Sequence, residues 1–133
     1  MARKLVMQAL YQWQMTGHEA NDLSKQFVES EEFGAADRDY FNELLRGCIK
    51  GKEQIDAGIA PFIDRPLEQL DPVETAILMM GMYELRSRID VPYRVVINEA
   101  VDLAKRFGAT DAHKYVNAVL DRAAKEIRSA ERN

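Results

Sequence analysis

The sequence has little of what disulfide-stabilised, metal-binding or cofactor-binding proteins need. Among its 133 residues there is one cysteine, Cys48, and there are two histidines, His18 and His113. A single cysteine excludes an internal disulfide and fits a reducing compartment. Neither histidine has a second histidine or a cysteine at ligand spacing. The sequence therefore predicts no metal site and no cofactor.

Long hydrophobic runs are also missing. The longest, residues 76–83, is far too short to cross a bilayer. The first fourteen residues are amphipathic and interrupted by glutamines, unlike the apolar core of a signal peptide. With 47% hydrophobic and 30% charged residues, the composition is that of an ordinary globular protein. We therefore expect one cytoplasmic domain over residues 1–133, with no membrane contact.

Apolar residues recur at helical spacing, and no segment alternates polar and apolar residues for long enough to predict a strand. The pattern predicts an all-α fold. The expected helices cover Arg3–Met15, Asp22–Ser30, a long glycine-interrupted stretch from Asp37 to Ala60, one turn at Leu67–Leu70, a helix from Asp71 to about Ser87, one from Tyr93 or Arg94 to a left-handed Gly108, and one from Thr110 or Asp111 to about Ile127. The polar segment 58–70 divides an N-terminal helical group, about 1–60, from a C-terminal group, about 66–130.

The net charge of −4 is unevenly distributed. Residues 1–17 hold two bases and no acid, whereas residues 18–43 hold eight acids and two bases. From Arg94 onward the bases again outnumber the acids. A nucleic-acid partner would therefore have to meet a local basic surface made by the two ends of the chain.

Catalytic groups do not converge in the sequence. Cys48 lies on an apolar helix stripe, which favours a buried structural thiol over a nucleophile. Glu99 and Asp102 are spaced as a carboxylate pair, but a solvated face balanced by Lys105 and Arg106 is the preferred interpretation. An active site would need a pocket that holds His113 with Asp111 or Glu99. We therefore predict that the protein is not an enzyme.

Two polar and aromatic groups remain, and each has two interpretations. Phe107, Lys114 and Tyr115 flank the turn at Gly108; they either pack, or stack unpaired bases and hold phosphates. On the first helix the polar face of Arg3, Lys4 and Gln8 is either solvated or a contact surface, with Tyr11 nearby as a candidate contact for another protein.

The segments QALYQWQ, LDPVETAIL with YEL after it, and DVPYRVVINEAVDLAKRFGATDAHKYVNAVLDRAA resemble the family of bacterial transcription antitermination factors called NusB. The resemblance covers almost the whole chain and is weakest over residues 18–60. It implies two roughly perpendicular three-helix bundles packed as one domain. It also implies a heterodimer with NusE, which is also a protein of the small ribosomal subunit. That pair binds boxA RNA and helps RNA polymerase resist termination, notably in ribosomal RNA operons.

The resemblance also implies where the two surfaces lie. The RNA surface would consist of Arg3, Lys4, Gln8, Phe107, Asp111, His113, Lys114 and Tyr115. Asp111 would weaken RNA binding there, because a carboxylate repels phosphate; its alternative role is to cap the last helix. The NusE surface would consist of Tyr11 and Glu74, with Met82 and Tyr83 beside them. Family members usually have several arginines ahead of the first helix, where this chain has only Arg3 and Lys4. Either the chain starts late relative to its gene product, or this member has lost part of its RNA contact; in the second case we expect weak RNA binding without NusE.

Two other binding roles stay open from the sequence. One is a free-standing relative of the helical RNA-binding domain that is fused to some RNA cytosine methyltransferases. The other is a dimerisation protein that uses its helical faces to form a homodimer.

Overall fold

The structure is a computed structural model that describes residues 1–132, and within them every regular element is helical. The α-helices are α1 (Ala2–Thr16), α2 (Ala20–Val28), α3 (Arg38–Lys50), α4 (Lys52–Ile59), α5 (Pro72–Ser87), α6 (Tyr93–Phe107), α7 (Ala112–Ile127) and α8 (Ser129–Arg132). Short 3₁₀ turns cover Glu31–Phe33, Ala60–Phe62 and Leu67–Gln69. No helix in this described part is long and apolar enough to cross a membrane. The predicted all-α fold is confirmed.

Helix α5 is the centre of the core. It packs against α1, α3, α4, α6 and α7. Residues 75–82 are buried without interruption, and so are Glu84 and Leu85. A helix that is apolar around most of its circumference needs neighbours on every side, and the amphipathic helices supply them. The division of the chain into two helical groups stays a prediction.

Two aspartates cap helices at the starts that the sequence predicts for them. The side chain of Asp37 accepts a hydrogen bond of 3.0 Å from the backbone N–H of Tyr40. The side chain of Asp71 accepts one of 2.7 Å from Val73, and Pro72 occupies the first helical position, where it needs no donor. The long stretch predicted from Asp37 is divided into α3 and α4 at Gly51.

The end of α6 differs from the prediction. Gly108 is extended, with φ −86° and ψ 173°, rather than left-handed. A glycine fits there because a Cβ would lie 2.7 Å from the carbonyl oxygen of Ala104 and 3.0 Å from the Cβ of Ala112. Asp111 takes the left-handed conformation instead, with φ 67°, and its side chain does not cap α7. The left-handed residue of this turn is therefore Asp111 and not Gly108.

A second glycine lets α5 and α7 approach closely. A Cβ on Gly81 would lie 2.9 Å and 3.0 Å from the two terminal methyls of Leu120. Both residues are buried at the centre of the core. This close approach is part of the packing of α7 against the central helix.

Candidate nucleic-acid interface

The start of α1 and the end of α6 meet at Phe107, the last residue of α6. The Lys4 ammonium on α1 lies 5.9 Å from the centroid of the Phe107 ring, and the Arg106 guanidinium lies 5.1 Å from it. Both distances are those of cation–π contacts. The ring is 37% exposed. We call these three residues the Phe107 cluster; it presents an aromatic face and two cations at one place on the surface.

The turn beyond Phe107 adds another cation. Lys114 is exposed, and its ammonium lies 3.4 Å from a carboxylate oxygen of Asp111. An exposed ion pair of this kind stabilises the fold by less than about 1 kcal/mol, so Lys114 can exchange Asp111 for a phosphate at little cost. His113 is half-buried beside it.

Tyr115 does not present a free ring. Its hydroxyl donates a hydrogen bond of 3.1 Å to the Asp64 carboxylate, and the Arg65 guanidinium lies 5.0 Å from the ring centroid. The ring is half-buried and packs against the core. The pKa of Asp64 is lowered, first by the hydrogen bond from Arg65 and then by the one from Tyr115. We call Asp64, Arg65 and Tyr115 the Tyr115 cluster.

Arg3 is not a free cation, contrary to its predicted place on the RNA surface. Its Nη2 lies 2.8 Å and its Nε 3.1 Å from Oε2 of Glu84, and its Nε lies 3.0 Å from Oε1. The Arg3 side chain is 20% exposed and that of Glu84 only 1%. The hydroxyl of Tyr40 donates to the same carboxylate, and burial followed by this hydrogen bond raises the pKa of Tyr40. Arg3 therefore neutralises a buried charge.

The polar face of α1 extends from the Phe107 cluster toward the C-terminal end of the helix. Lys4, Gln8 and Tyr11 follow one another at spacings of four and three residues, so they lie along one face. Gln8 is half-buried, and Tyr11 is 41% exposed. The amide of Gln14 donates a 2.9 Å hydrogen bond to the carbonyl of Pro72, which ties this end of α1 to the start of α5.

The predicted partner residues on α5 do not share a surface. Glu74 is half-buried in the first turn, where burial and then the charge of Asp71 raise its pKa. Met82 is completely buried, so its side chain offers no area to a partner. Tyr83 is nine residues from Glu74 and, at about 100° per residue, lies on the opposite side of the helix. Met82 therefore offers no side-chain surface to a partner, contrary to the prediction, whereas the partner role of Tyr83 stays a prediction, on a face other than that of Glu74.

Tyr83 instead belongs to the contact between α5 and α3. Its hydroxyl donates a 3.2 Å hydrogen bond to Glu43, and its ring lies directly over Gly47, where a Cβ would clash with it. Burial raises the pKa of Tyr83, and the nearby charge of Glu43 adds to the effect.

A model of the NusB family matches residues 1–125. The chain belongs to the NusB family. Transcription antitermination protein NusB of Hahella chejuensis is 51% identical over 98% of this chain and 87% of its own length. The protein of that name in Pseudomonas entomophila is 52% identical over 98% of this chain and 78% of its own.

Solved structures of NusB proteins share the fold. NusB of T. maritima superposes with a TM-score of 0.83, at 31% identity, over 94% of this chain and 89% of that one. A chain from a crystal structure of the antitermination factors NusB and NusE in complex with dsRNA superposes with a TM-score of 0.85, at 29% identity, over 93% of each chain. The predicted family and its all-α fold are confirmed.

Proposed function

We propose that this protein is a transcription antitermination factor that binds boxA-type nascent RNA as a heterodimer with NusE. The pair supports RNA polymerase in ribosomal RNA operons; the protein acts in the cytoplasm and catalyses no reaction. The observation that supports this best is the Phe107 cluster, where an exposed ring meets one cation from α1 and one from the end of α6. Family membership and the names of the relatives support it further.

The RNA surface runs from the Phe107 cluster to the start of α7. Lys4, Arg106 and Lys114 hold phosphates, and the Phe107 ring stacks an unpaired base. Gln8 and His113 lie within the same surface as hydrogen-bonding groups. Asp111 competes with phosphate for Lys114 and so limits the affinity of this part. Three phosphate contacts give weak binding at physiological salt, which makes a second protein necessary.

The NusE surface uses Tyr11 and Glu74. Tyr11 is an exposed tyrosine on a well-packed helix, and such side chains contribute strongly to protein interfaces. Glu74 lies at the start of α5, held near α1 by the hydrogen bond between Gln14 and Pro72. A partner's lysine or arginine would stabilise the ionised form of Glu74, whose pKa is raised by burial in the free protein.

A titration of labelled boxA RNA, with and without saturating NusE, tests the proposal. We expect weak binding by the protein alone, a clear gain with NusE, and a loss of affinity as salt increases. Lys114→Ala should weaken binding about threefold to tenfold. Lys125→Ala is the matched control, because Lys125 is also an exposed lysine on α7 paired with an aspartate, Asp121, at 3.7 Å, but lies about three turns away.

Two results would contradict the proposal. One is a boxA affinity that NusE leaves unchanged. The other is an equal effect of the Lys114 and Lys125 substitutions, which would indicate non-specific attraction to the whole basic end of the chain.

A further inference from the structure

Arg65 occupies the place over Tyr115 that a nucleobase would need. The guanidinium lies 5.0 Å from the ring centroid, while the ring itself is half-buried and packs against the core. A base could reach the ring only by displacing Arg65. The outermost plane at this point is therefore the guanidinium, whose side chain is 47% exposed.

Asp64 fixes the orientation of that plane. Its Oδ1 accepts hydrogen bonds from Arg65 Nε at 2.9 Å and from the Tyr115 hydroxyl at 3.1 Å, and its Oδ2 accepts one from Arg65 Nη2 at 3.4 Å. Arg65 and Tyr115 thus share one carboxylate, which holds the two planes together. The linker that carries Arg65 is itself attached to α7, because Arg122 donates a 3.0 Å hydrogen bond to the carbonyl of Phe62.

The charge around Arg65 favours a base over a phosphate. One edge of the guanidinium is already bound to Asp64. The pKa of Arg65 is raised first by that hydrogen bond and to a smaller degree by the charge of Glu74. A phosphate would have to compete with these two carboxylates. The flat face of the Arg65 guanidinium remains open, and guanidinium planes stack on unpaired bases much as aromatic rings do.

We propose that Arg65 is a nucleobase-stacking residue, on whose outer face an unpaired RNA base lies with Tyr115 beneath it. The inference rests on the proposed function and deepens it. It extends the RNA surface from the α6–α7 turn onto the linker between α4 and α5. Tyr115 then supports the stack from below and does not contact the base directly.

The test uses the full chain with NusE and a boxA RNA that carries 2-aminopurine at each adenine in turn. Stacking on Arg65 should quench the fluorescence of 2-aminopurine at one position. Arg65→Ala should abolish this quenching at saturating protein and lower RNA affinity about fivefold. Arg65→Lys keeps the charge and loses the plane, so it should not restore the quenching.

Arg94→Ala is the matched control. Arg94 also lies over a tyrosine ring, that of Tyr93, at 5.7 Å, but at the opposite end of α6 from the Phe107 cluster. The Arg94→Ala substitution removes the same charge and the same type of contact as Arg65→Ala. It should change neither the RNA affinity nor the quenching of 2-aminopurine. Thermal melting of all three variants checks that the fold is intact.

Three results would overturn the inference while leaving the proposed function in place. The first is unchanged RNA binding by Arg65→Ala. The second is tighter RNA binding by Arg65→Ala, which would mean that Arg65 covers a ring that the base itself uses. The third is full quenching and full affinity in Arg65→Lys, which would mean that only the charge matters. If the unmodified protein with NusE did not bind boxA RNA, the proposed function would fail, and this inference with it.

Discussion

Replacing Arg3 by alanine would leave the Glu84 carboxylate, 1% exposed, with the Tyr40 hydroxyl but without its cation. Removing one partner of a buried ion pair typically costs about 3–5 kcal/mol, because the remaining charge stays desolvated. Arg3 retains 20% exposure, so water can enter when it is removed. We therefore expect the free energy of unfolding to fall by about 3 kcal/mol, the lower limit of that range, and the melting temperature to fall by about 10 °C.

Thermal and urea unfolding followed by circular dichroism measures this loss. Lys125→Ala is the control, since Lys125 forms an exposed pair with Asp121 and its loss should lower the free energy of unfolding by less than about 1 kcal/mol. Combining Arg3→Leu with Glu84→Leu should recover part of the stability, because no buried charge is then left. A fall in melting temperature below about 2 °C for Arg3→Ala, together with a large loss of RNA affinity in the folded protein, would refute this reasoning and return Arg3 to the RNA surface.

Three further substitutions test the packing and the RNA surface. Gly81→Ala should lower the free energy of unfolding in urea by about 1–3 kcal/mol, since the added methyl meets a terminal methyl of Leu120 at 2.9 Å; an unchanged midpoint would show that the Leu120 side chain rotates to make room. Met82→Ala should cost about 2–5 kcal/mol and leave NusE affinity unchanged, whereas a selective loss of NusE affinity would place Met82 at the interface. Lys4→Ala should reduce the slope of log affinity against log salt by about 0.7, and an unchanged slope would mean that Lys4 touches no phosphate.

The sequence predicts most of the fold because each helix carries its own local evidence. Helical periodicity places α1, α3, α5, α6 and α7, and the aspartates at 37 and 71 mark two starts that the structure confirms. Gly108 was predicted from the usual preference for a left-handed glycine at a helix end. Its role is different: a Cβ there would lie 2.7 Å from the Ala104 carbonyl oxygen and 3.0 Å from the Cβ of Ala112, and these contacts depend on the path of the turn, which helical periodicity does not predict.

The candidate site was less predictable, because its decisive contacts join distant residues. Arg3 and Glu84 are 81 positions apart, and Asp64 and Tyr115 are 51 apart, so no local pattern shows either pair. The hydrophobic pattern did contain one signal that the prediction for Met82 left out. Met82 lies inside the apolar run 76–83, flanked on both sides by its members, and a residue inside such a run is expected to be buried.

The most direct test of the account is to map, by NMR, the backbone amides of the ¹⁵N-labelled protein that shift when boxA RNA is added in the presence of NusE. The account predicts that RNA-dependent shifts concentrate at Lys4, at Phe107 and along residues 111–115, with little change at the acidic segment 18–43. Shifts centred on that acidic segment, or none around Phe107, would contradict the assignment of the RNA surface.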